Sequence, residues 1–186
     1  MIRSWPLLSS EAVFDAGLLR VTRDRARSPR TGGERDFHVI RMVDWLMAVA
    51  LTDENKLVMV RQYRHGSREE SLEVPGGLHA GDTNGEARGA ARELAEETGY
   101  GGGTWSFLGQ LRPQPALLSN RAWIYLARGV RATTAPQPDA GEDIEVVLLD
   151  VQEIPARIAS GEINNAMTVA ALALPLFAGQ LQENPQ

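Results

Sequence analysis

The chain contains no cysteine, which excludes a disulfide framework, a zinc–thiolate site and a cysteine nucleophile. It has only three histidines, His38, His65 and His79, and their spacing is not that of metal ligands. No block of basic residues is present and the net charge is −5, which argues against nucleic acid as a partner. A function on anionic substrates would therefore need local positive charge, supplied by metal ions and a few arginines.

Long apolar runs are also missing. The longest, residues 166–178, contains Thr168 and Pro175 and is too short to span a membrane. Residues 1–10 lack the charged start and apolar run of a signal peptide. We therefore expect a cytoplasmic protein with no membrane partner.

The length of 186 residues suits one domain with a sizeable core, and 43% hydrophobic and 23% charged residues are ordinary for a globular protein. Apolar and alternating segments predict strands, and longer periodic segments predict helices. The predicted strands are 11–27, 35–42, 44–52, 56–63, 71–75, 104–112, 121–129 and 143–150, and the predicted helices are 85–98, 151–160 and 164–177. Strands mixed with helices imply an α/β sandwich.

The most informative segment is Arg92-Glu93-Leu94-Ala95-Glu96-Glu97-Thr98-Gly99-Tyr100. Glu93, Glu96 and Glu97 are spaced so that a helix places all three on one face. Like charges this close repel each other, and hard oxygen ligands suit Mg²⁺ or Mn²⁺. A solvated acidic surface is the alternative. The upstream glycines at 76–77 favour the metal site, because glycine lets the backbone approach a metal or phosphate.

Residues 92–100 resemble the second half of the Nudix hydrolase signature, residue for residue. The first half departs from that signature. Counting back from Arg92 puts Asn84 and Leu78 where the signature has glutamate and glycine, and Gly77 lies one step too far. A loop of altered length between Gly77 and the helix accounts for the difference.

The resemblance implies a metal site whose oxygen ligands are the Gly76 carbonyl and the side chains of Glu93, Glu96, Glu97 and Glu142. One to three Mg²⁺ ions, or Mn²⁺, would bind there. Arg92 would orient the glutamates by ion pairing. Glu142, in a polar loop predicted over residues 133–142, is the first candidate for the base that activates water, and Glu93 is the alternative base.

Three further features resemble the branch that hydrolyses ADP-ribose and nucleotide sugars: residues 60–64, Pro115 and residues 141–145. Arg64 would contact a phosphate, since a guanidinium suits bidentate phosphate recognition; a surface arginine is the alternative. Pro115 would mark the substrate site, or belong only to a turn. Trp45 would stack on a base or pack in the core.

The resemblance implies a Nudix-type α/β/α sandwich with a mixed sheet over residues 43–180. Residues 1–42 would add N-terminal antiparallel strands that build a homodimer. The last helix, 164–177, is apolar around most of its surface and is expected to be buried.

The implied reaction is Mg²⁺-dependent hydrolysis of the pyrophosphate bond of ADP-ribose or another nucleoside diphosphate sugar. Its products would be a nucleoside monophosphate and a sugar phosphate. Three alternatives remain: a house-cleaning nucleoside triphosphate pyrophosphatase, a nucleotide-sensing Nudix domain without catalysis, and a structural Ca²⁺-binding domain. Pro115 and the N-terminal extension count against the first, and the intact glutamate set counts against the second. The third lacks the dense Asp/Asn loop of Ca²⁺ sites.

Overall fold

The computed structural model describes residues 1–79, 85–139 and 141–181. Its contacts divide the chain into two compact units, Met1–Asp44 with Arg112–Arg121, and Trp45–Leu111 with Ala122–Gln186. The predicted division into residues 1–42 and 43–180 stays a prediction. Within the described ranges, no helix is long and apolar enough to cross a membrane.

The first unit contains a three-stranded antiparallel sheet with strands β1 Leu7–Asp15, β2 Leu19–Arg27 and β3 Glu34–Met42 in sequential order. The prediction of one strand over 11–27 is wrong. The chain reverses at Gly17, whose φ of +80° lies in the left-handed region and whose N–H donates to the Asp15 carboxylate over 3.0 Å. Residues 112–121 join the sheet through a parallel bridge between Leu118 and Ile40.

The second unit holds a seven-stranded mixed sheet. Its strands are β4 Trp45–Thr52, β5 Lys56–Arg64, β6 Glu69–Glu73, β7 Gly76–Leu78, β8 Tyr100–Leu111, β9 Ala122–Ala132 and β10 Ile144–Asp150. The order is β10-β5-β4-β9-β8, with β6 on β5 and β7 on β4. Only β4 and β9 pair in parallel among these described pairs. The glycines at 76–77, which follow the predicted strand 71–75, pair with β4 as β7.

The described residues of this unit also form the α-helices α1 Glu86–Thr98, α2 Ile154–Ala159 and α3 Ala166–Phe177. A 3₁₀ turn, Val151–Glu153, begins the segment that we predicted as one helix over 151–160. Asn165 caps α3, because its side-chain oxygen accepts hydrogen bonds from the N–H groups of Met167 and Thr168.

The central strand β4 is buried on both faces, which explains its unbroken apolar sequence. Met47, Val49 and Leu51 belong to the core that includes α2 and α3. The alternate residues Leu46, Ala48 and Ala50 lie in smaller clusters that include Ala90 and Leu94 of α1. Helices therefore cover both faces of the mixed sheet, and the predicted α/β sandwich is confirmed.

Candidate active site

The helix α1 places its acidic residues beside the central strand. Ala90 and Leu94 are fully buried and dock the helix on the sheet. Gly99 ends the helix in the left-handed region, with φ +74°, and its N–H donates to the Ala95 carbonyl over 2.8 Å. The predicted helix bounds of 85–98 are therefore close to those observed.

Glu97 is the most deeply buried carboxylate of this helix, with 3% of its surface exposed. The N–H of Gly76 donates to its Oε2 atom over 3.0 Å. Burial raises the pKa of Glu97 to about 8, and the charges of Glu142 and Glu93 add to the shift. Each of these two charges has a larger effect on this pKa than the opposing charge of Arg64. Burial is therefore the main reason that the ionised form of Glu97 is disfavoured, and repulsion from Glu142 and Glu93 adds to it.

Arg92 connects the other two glutamates. Its guanidinium donates to Glu93 over 2.8 Å and to Glu96 over 2.5 Å. Burial raises the pKa of Glu93, although the charge of Arg92 opposes the shift. The Glu93 side chain is 13% exposed and that of Glu96 is 43% exposed. The three glutamates are therefore not equivalent, and only Glu93 and Glu97 lie in the protein interior.

Gly77 has a role that our sequence reasoning missed. A Cβ atom at this position would lie 2.5–2.7 Å from the carboxylate atoms of Glu93, closer than van der Waals contact permits. Gly76 is similarly constrained, because a Cβ there would collide with the backbone of Leu46. Glycine at both positions lets β7 approach α1. The pair Gly76-Gly77 was visible in the sequence, but its contact with Glu93 depends on the fold.

A cavity of about 760 Å³ lies in the second unit beside these groups. Its wall combines acidic, basic and apolar side chains with the backbone of β7. The lining residues are Trp45, Leu46, Met47, Arg64, Glu73, Val74, Gly76, Gly77, Leu78, Arg92, Glu93, Asp139, Glu142, Asn165, Ala166 and Met167. Buried Glu97 reaches this wall through its hydrogen bond with Gly76.

The first unit contains a larger cavity of about 1050 Å³, lined by Arg3, Arg30, Arg35 and Trp5 among others. Glu34 is the one carboxylate among its described lining residues. The chemistry of the smaller cavity, with clustered carboxylates of raised pKa, is that of a functional site.

Glu142 stands on a short turn at the cavity. Its N–H donates to the Asp139 carbonyl over 2.9 Å, and its carboxylate accepts a hydrogen bond from the Asp139 N–H over 3.1 Å. The preceding chain is anchored to the end of α1, where Gln137 N–H donates to the Glu96 carbonyl over 2.7 Å. These bonds hold an exposed carboxylate beside two buried ones.

The predicted substrate residues occupy different places. Trp45 is half-buried, packs against the core and also lines the cavity. Arg64 lines the cavity and forms an ion pair with Glu73. Pro115 is exposed in a turn of the first unit, where the Leu117 N–H donates to the Gln114 carbonyl over 3.0 Å. Its role in substrate binding stays a prediction, and Asn84 lies outside the described residues.

The site has the chemistry of a divalent-cation centre. Buried carboxylates that repel one another and a backbone open to close approach form a hard oxygen donor set. In the described part of the chain, no three acidic or histidine side chains already have the arrangement of a metal cluster. Arg92 occupies Glu93 and Glu96 instead, so metal binding would require some of these side chains to move.

Comparison with known proteins identifies the family. The NUDIX domain matches residues 45–169. The ADP-ribose pyrophosphatase of Mycobacterium tuberculosis (strain ATCC 25618 / H37Rv) is 32% identical, over 89% of this chain and 80% of that protein. The methanol dehydrogenase activator of Bacillus methanolicus is 28% identical, over 89% of each. The chain therefore belongs to the Nudix family.

The fold comparison agrees. A crystal structure of an ADP compounds hydrolase matches with a TM-score of 0.84 and 23% identity, covering 97% of this chain and 98% of that one. The predictions of a Nudix fold and of a Nudix hydrolase are confirmed. Nudix hydrolases generally use divalent metal ions.

Proposed function

We propose that this enzyme is a Mg²⁺-dependent pyrophosphatase that cleaves ADP-ribose or a related nucleoside diphosphate sugar. The products would be a nucleoside monophosphate and a sugar phosphate. The observation that carries the proposal is the cavity in which Glu93 and Glu142 lie with Arg64, backed by buried Glu97. Carboxylates that need a cation and an arginine that suits phosphate are what a diphosphate substrate requires.

The relatives support this class of substrate. Two are named ADP-ribose pyrophosphatases, from Mycobacterium tuberculosis and, at 23% identity, from Bacillus subtilis (strain 168). A third, from Streptomyces rubellomurinus (strain ATCC 31215), is 27% identical and is named a hydrolase of a CMP-linked phosphonate. The shared chemistry is a nucleotide joined through phosphorus, so the base preference must be measured.

Mg²⁺, or Mn²⁺ in its place, would be held by the Gly76 carbonyl and by carboxylates drawn from Glu93, Glu96, Glu97 and Glu142. When bound, the metal would neutralise phosphate oxygens and make water more acidic. Arg92, which hydrogen-bonds both Glu93 and Glu96, would orient these glutamates by ion pairing after the side chains that bind the metal have moved. Glu142 would accept the proton of the attacking water, and Arg64 would contact a phosphate.

The test of the function is product analysis by mass spectrometry with Mg²⁺. The substrate panel would hold ADP-ribose, GDP-mannose, UDP-glucose, NADH, a dinucleoside polyphosphate and the nucleoside triphosphates. A nucleoside monophosphate with a sugar phosphate is the expected pair. Cleavage of triphosphates alone would indicate a house-cleaning enzyme, and tight binding without turnover would indicate a sensor.

The contact between Gly77 and Glu93 yields a sharp prediction. Gly77→Ala should displace the Glu93 carboxylate and reduce kcat by about a hundredfold, the effect of small misplacement at a reacting centre. Gly66→Ala is the matched control, since a Cβ there meets nothing within 4 Å. Steady-state kinetics of both variants measures kcat, and circular dichroism checks that both are folded. Wild-type kcat in Gly77→Ala would contradict the prediction.

We also propose a homodimer built through the first unit. Every residue of β1 is exposed, including the apolar side chains of Leu7, Val13 and Phe14. An exposed apolar edge strand favours association.

Light scattering should give twice the chain mass for the wild type and the single mass for Val13→Asp, with Ser9→Asp as the polar control. A monomeric wild type would refute the dimer. Cytoplasmic location stays a prediction.

A further inference from the structure

Arg64 and Glu73 form a forked ion pair at the cavity wall. The Nε–H of Arg64 donates to Glu73 Oε1 and an Nη2–H donates to Oε2, each over 2.9 Å. The Glu73 side chain is only 6% exposed, whereas that of Arg64 is 44% exposed. The pair therefore joins a buried anion to a cation that faces the cavity.

Strand pairing does not dictate this contact. In the antiparallel β5–β6 pair, Arg64 lies opposite Glu69, and Glu73 lies opposite Val60. Glu69 is exposed and carries the directly opposed carboxylate. The Arg64 side chain instead runs back along its own strand to buried Glu73. Pairing with Glu73, rather than with Glu69, turns the Arg64 guanidinium toward the cavity.

Stability alone gives little reason for a buried ion pair here. Burial raises the pKa of Glu73, but the hydrogen bonds and charge of Arg64 hold this pKa below its usual range. Desolvation offsets most of the Coulombic attraction in such pairs, so an apolar pair of equal volume is often as stable. What a forked ion pair does provide is a fixed orientation of the guanidinium plane.

We propose that Glu73 is a positioning residue that fixes the Arg64 guanidinium so that its remaining N–H groups can bind a substrate phosphate oxygen. The inference rests on the proposed function. A guanidinium carries more N–H donors than the two used on Glu73. Among residues 1–79, 85–139 and 141–181, those remaining donors have no acceptor. Because the guanidinium is already fixed, little side-chain freedom is lost when phosphate binds.

The kinetic test uses Glu73→Gln, with Glu69→Gln as the matched control on the same strand. Glu73→Gln should raise KM for the preferred nucleoside diphosphate sugar about tenfold with little change in kcat, the effect of weakening one charged hydrogen bond. Glu69→Gln should leave both constants unchanged. In an Arg64→Ala background, Glu73→Gln should cause no further rise in KM. An additive rise would show that Glu73 does not act through Arg64.

A second measurement needs no substrate and separates this proposal from the proposed function. The Arg64 Nε–H proton, followed through its ¹⁵N resonance, should exchange slowly with solvent in the wild type and in Glu69→Gln. Exchange should be faster in Glu73→Gln, because an amide has one oxygen and cannot accept both arms of the fork. Wild-type exchange in Glu73→Gln would overturn the positioning role, even if no panel substrate is cleaved. Should Glu73→Gln fail to fold, Arg64→Lys replaces it, because lysine keeps the charge but cannot form the fork. Unchanged KM in Arg64→Lys would likewise overturn the proposal.

Discussion

Glu97→Gln should strongly reduce hydrolysis and yet make the metal-free protein more stable at pH 8. Glutamine keeps the shape of the side chain and can still accept the hydrogen bond from the Gly76 N–H. It cannot supply the negative charge that a metal ligand needs. We expect kcat to fall about a thousandfold, which corresponds to the loss of several kcal/mol of transition-state stabilisation.

The stability effect follows from the pKa of Glu97, which burial raises from 4.5 to about 8. The folded protein therefore holds this proton more tightly than the unfolded chain does. Stability from this group is complete below pH 4.5 and is lost as the pH rises through about 8. Glutamine resembles the protonated carboxyl at every pH, so the variant avoids that loss, which is on the order of a few kcal/mol.

Calorimetry at pH 5 and pH 8, with and without Mg²⁺, checks this prediction. The metal-free wild type should be less stable at pH 8 than at pH 5. Mg²⁺ should stabilise the wild type more at pH 8 than at pH 5, because a carboxyl must be deprotonated to bind the metal. Glu97→Gln should respond less than the wild type to both changes, and what remains would come from Glu93, whose pKa is also raised. Glu96→Gln is the control for stability, since Glu96 is 43% exposed and paired with Arg92. A wild-type stability that is flat from pH 5 to pH 8 would contradict the argument.

The acidic helix α1 was the element most accessible from sequence. Its bounds follow from an apolar stripe that ends at Gly99, and such periodicity is local information. The hairpin at Gly17 was missed, because the segment 11–27 has no long polar break. There an aspartate side chain supports a turn of very few residues, which hydrophobic pattern alone does not reveal.

In the candidate site, too, spacing within one helix could be read from the sequence, whereas contacts between residues far apart in the sequence could not. The spacing of Glu93, Glu96 and Glu97 predicted one shared helix face, but it could not indicate how deeply each would be buried. That difference arises where β7 passes close to α1, with Gly76 bonded to Glu97 and Gly77 against Glu93. Pairing of Arg64 with Glu73 rather than Glu69 likewise depends on three-dimensional geometry that strand register does not contain.

Glu142→Gln should reduce kcat by about a hundredfold or more, the usual contribution of a general base, with little change in KM. The Asp139 N–H donates to the Glu142 carboxylate, and an amide oxygen can still accept this bond; the bond from the Glu142 N–H to the Asp139 carbonyl does not involve the side chain. The variant therefore removes a charge and a base while leaving the turn intact. Glu145→Gln is the matched control, because that side chain is 72% exposed and lies 3.7 Å from Arg61.

Geometry favours Glu142 over Glu93 as the base. The Glu93 carboxylate accepts a hydrogen bond from Arg92 and its side chain is only 13% exposed, so it is less open to solvent than exposed Glu142. The Glu142 residue is exposed at the cavity and raises the pKa of both Glu93 and Glu97 through its charge. Glu142→Gln should therefore also reduce the loss of metal-free stability between pH 5 and pH 8. If Glu142→Gln leaves kcat unchanged but requires more Mg²⁺, Glu142 is a metal ligand and Glu93 takes the base role. If neither kcat nor the Mg²⁺ requirement changes, Glu142 has no part in the mechanism.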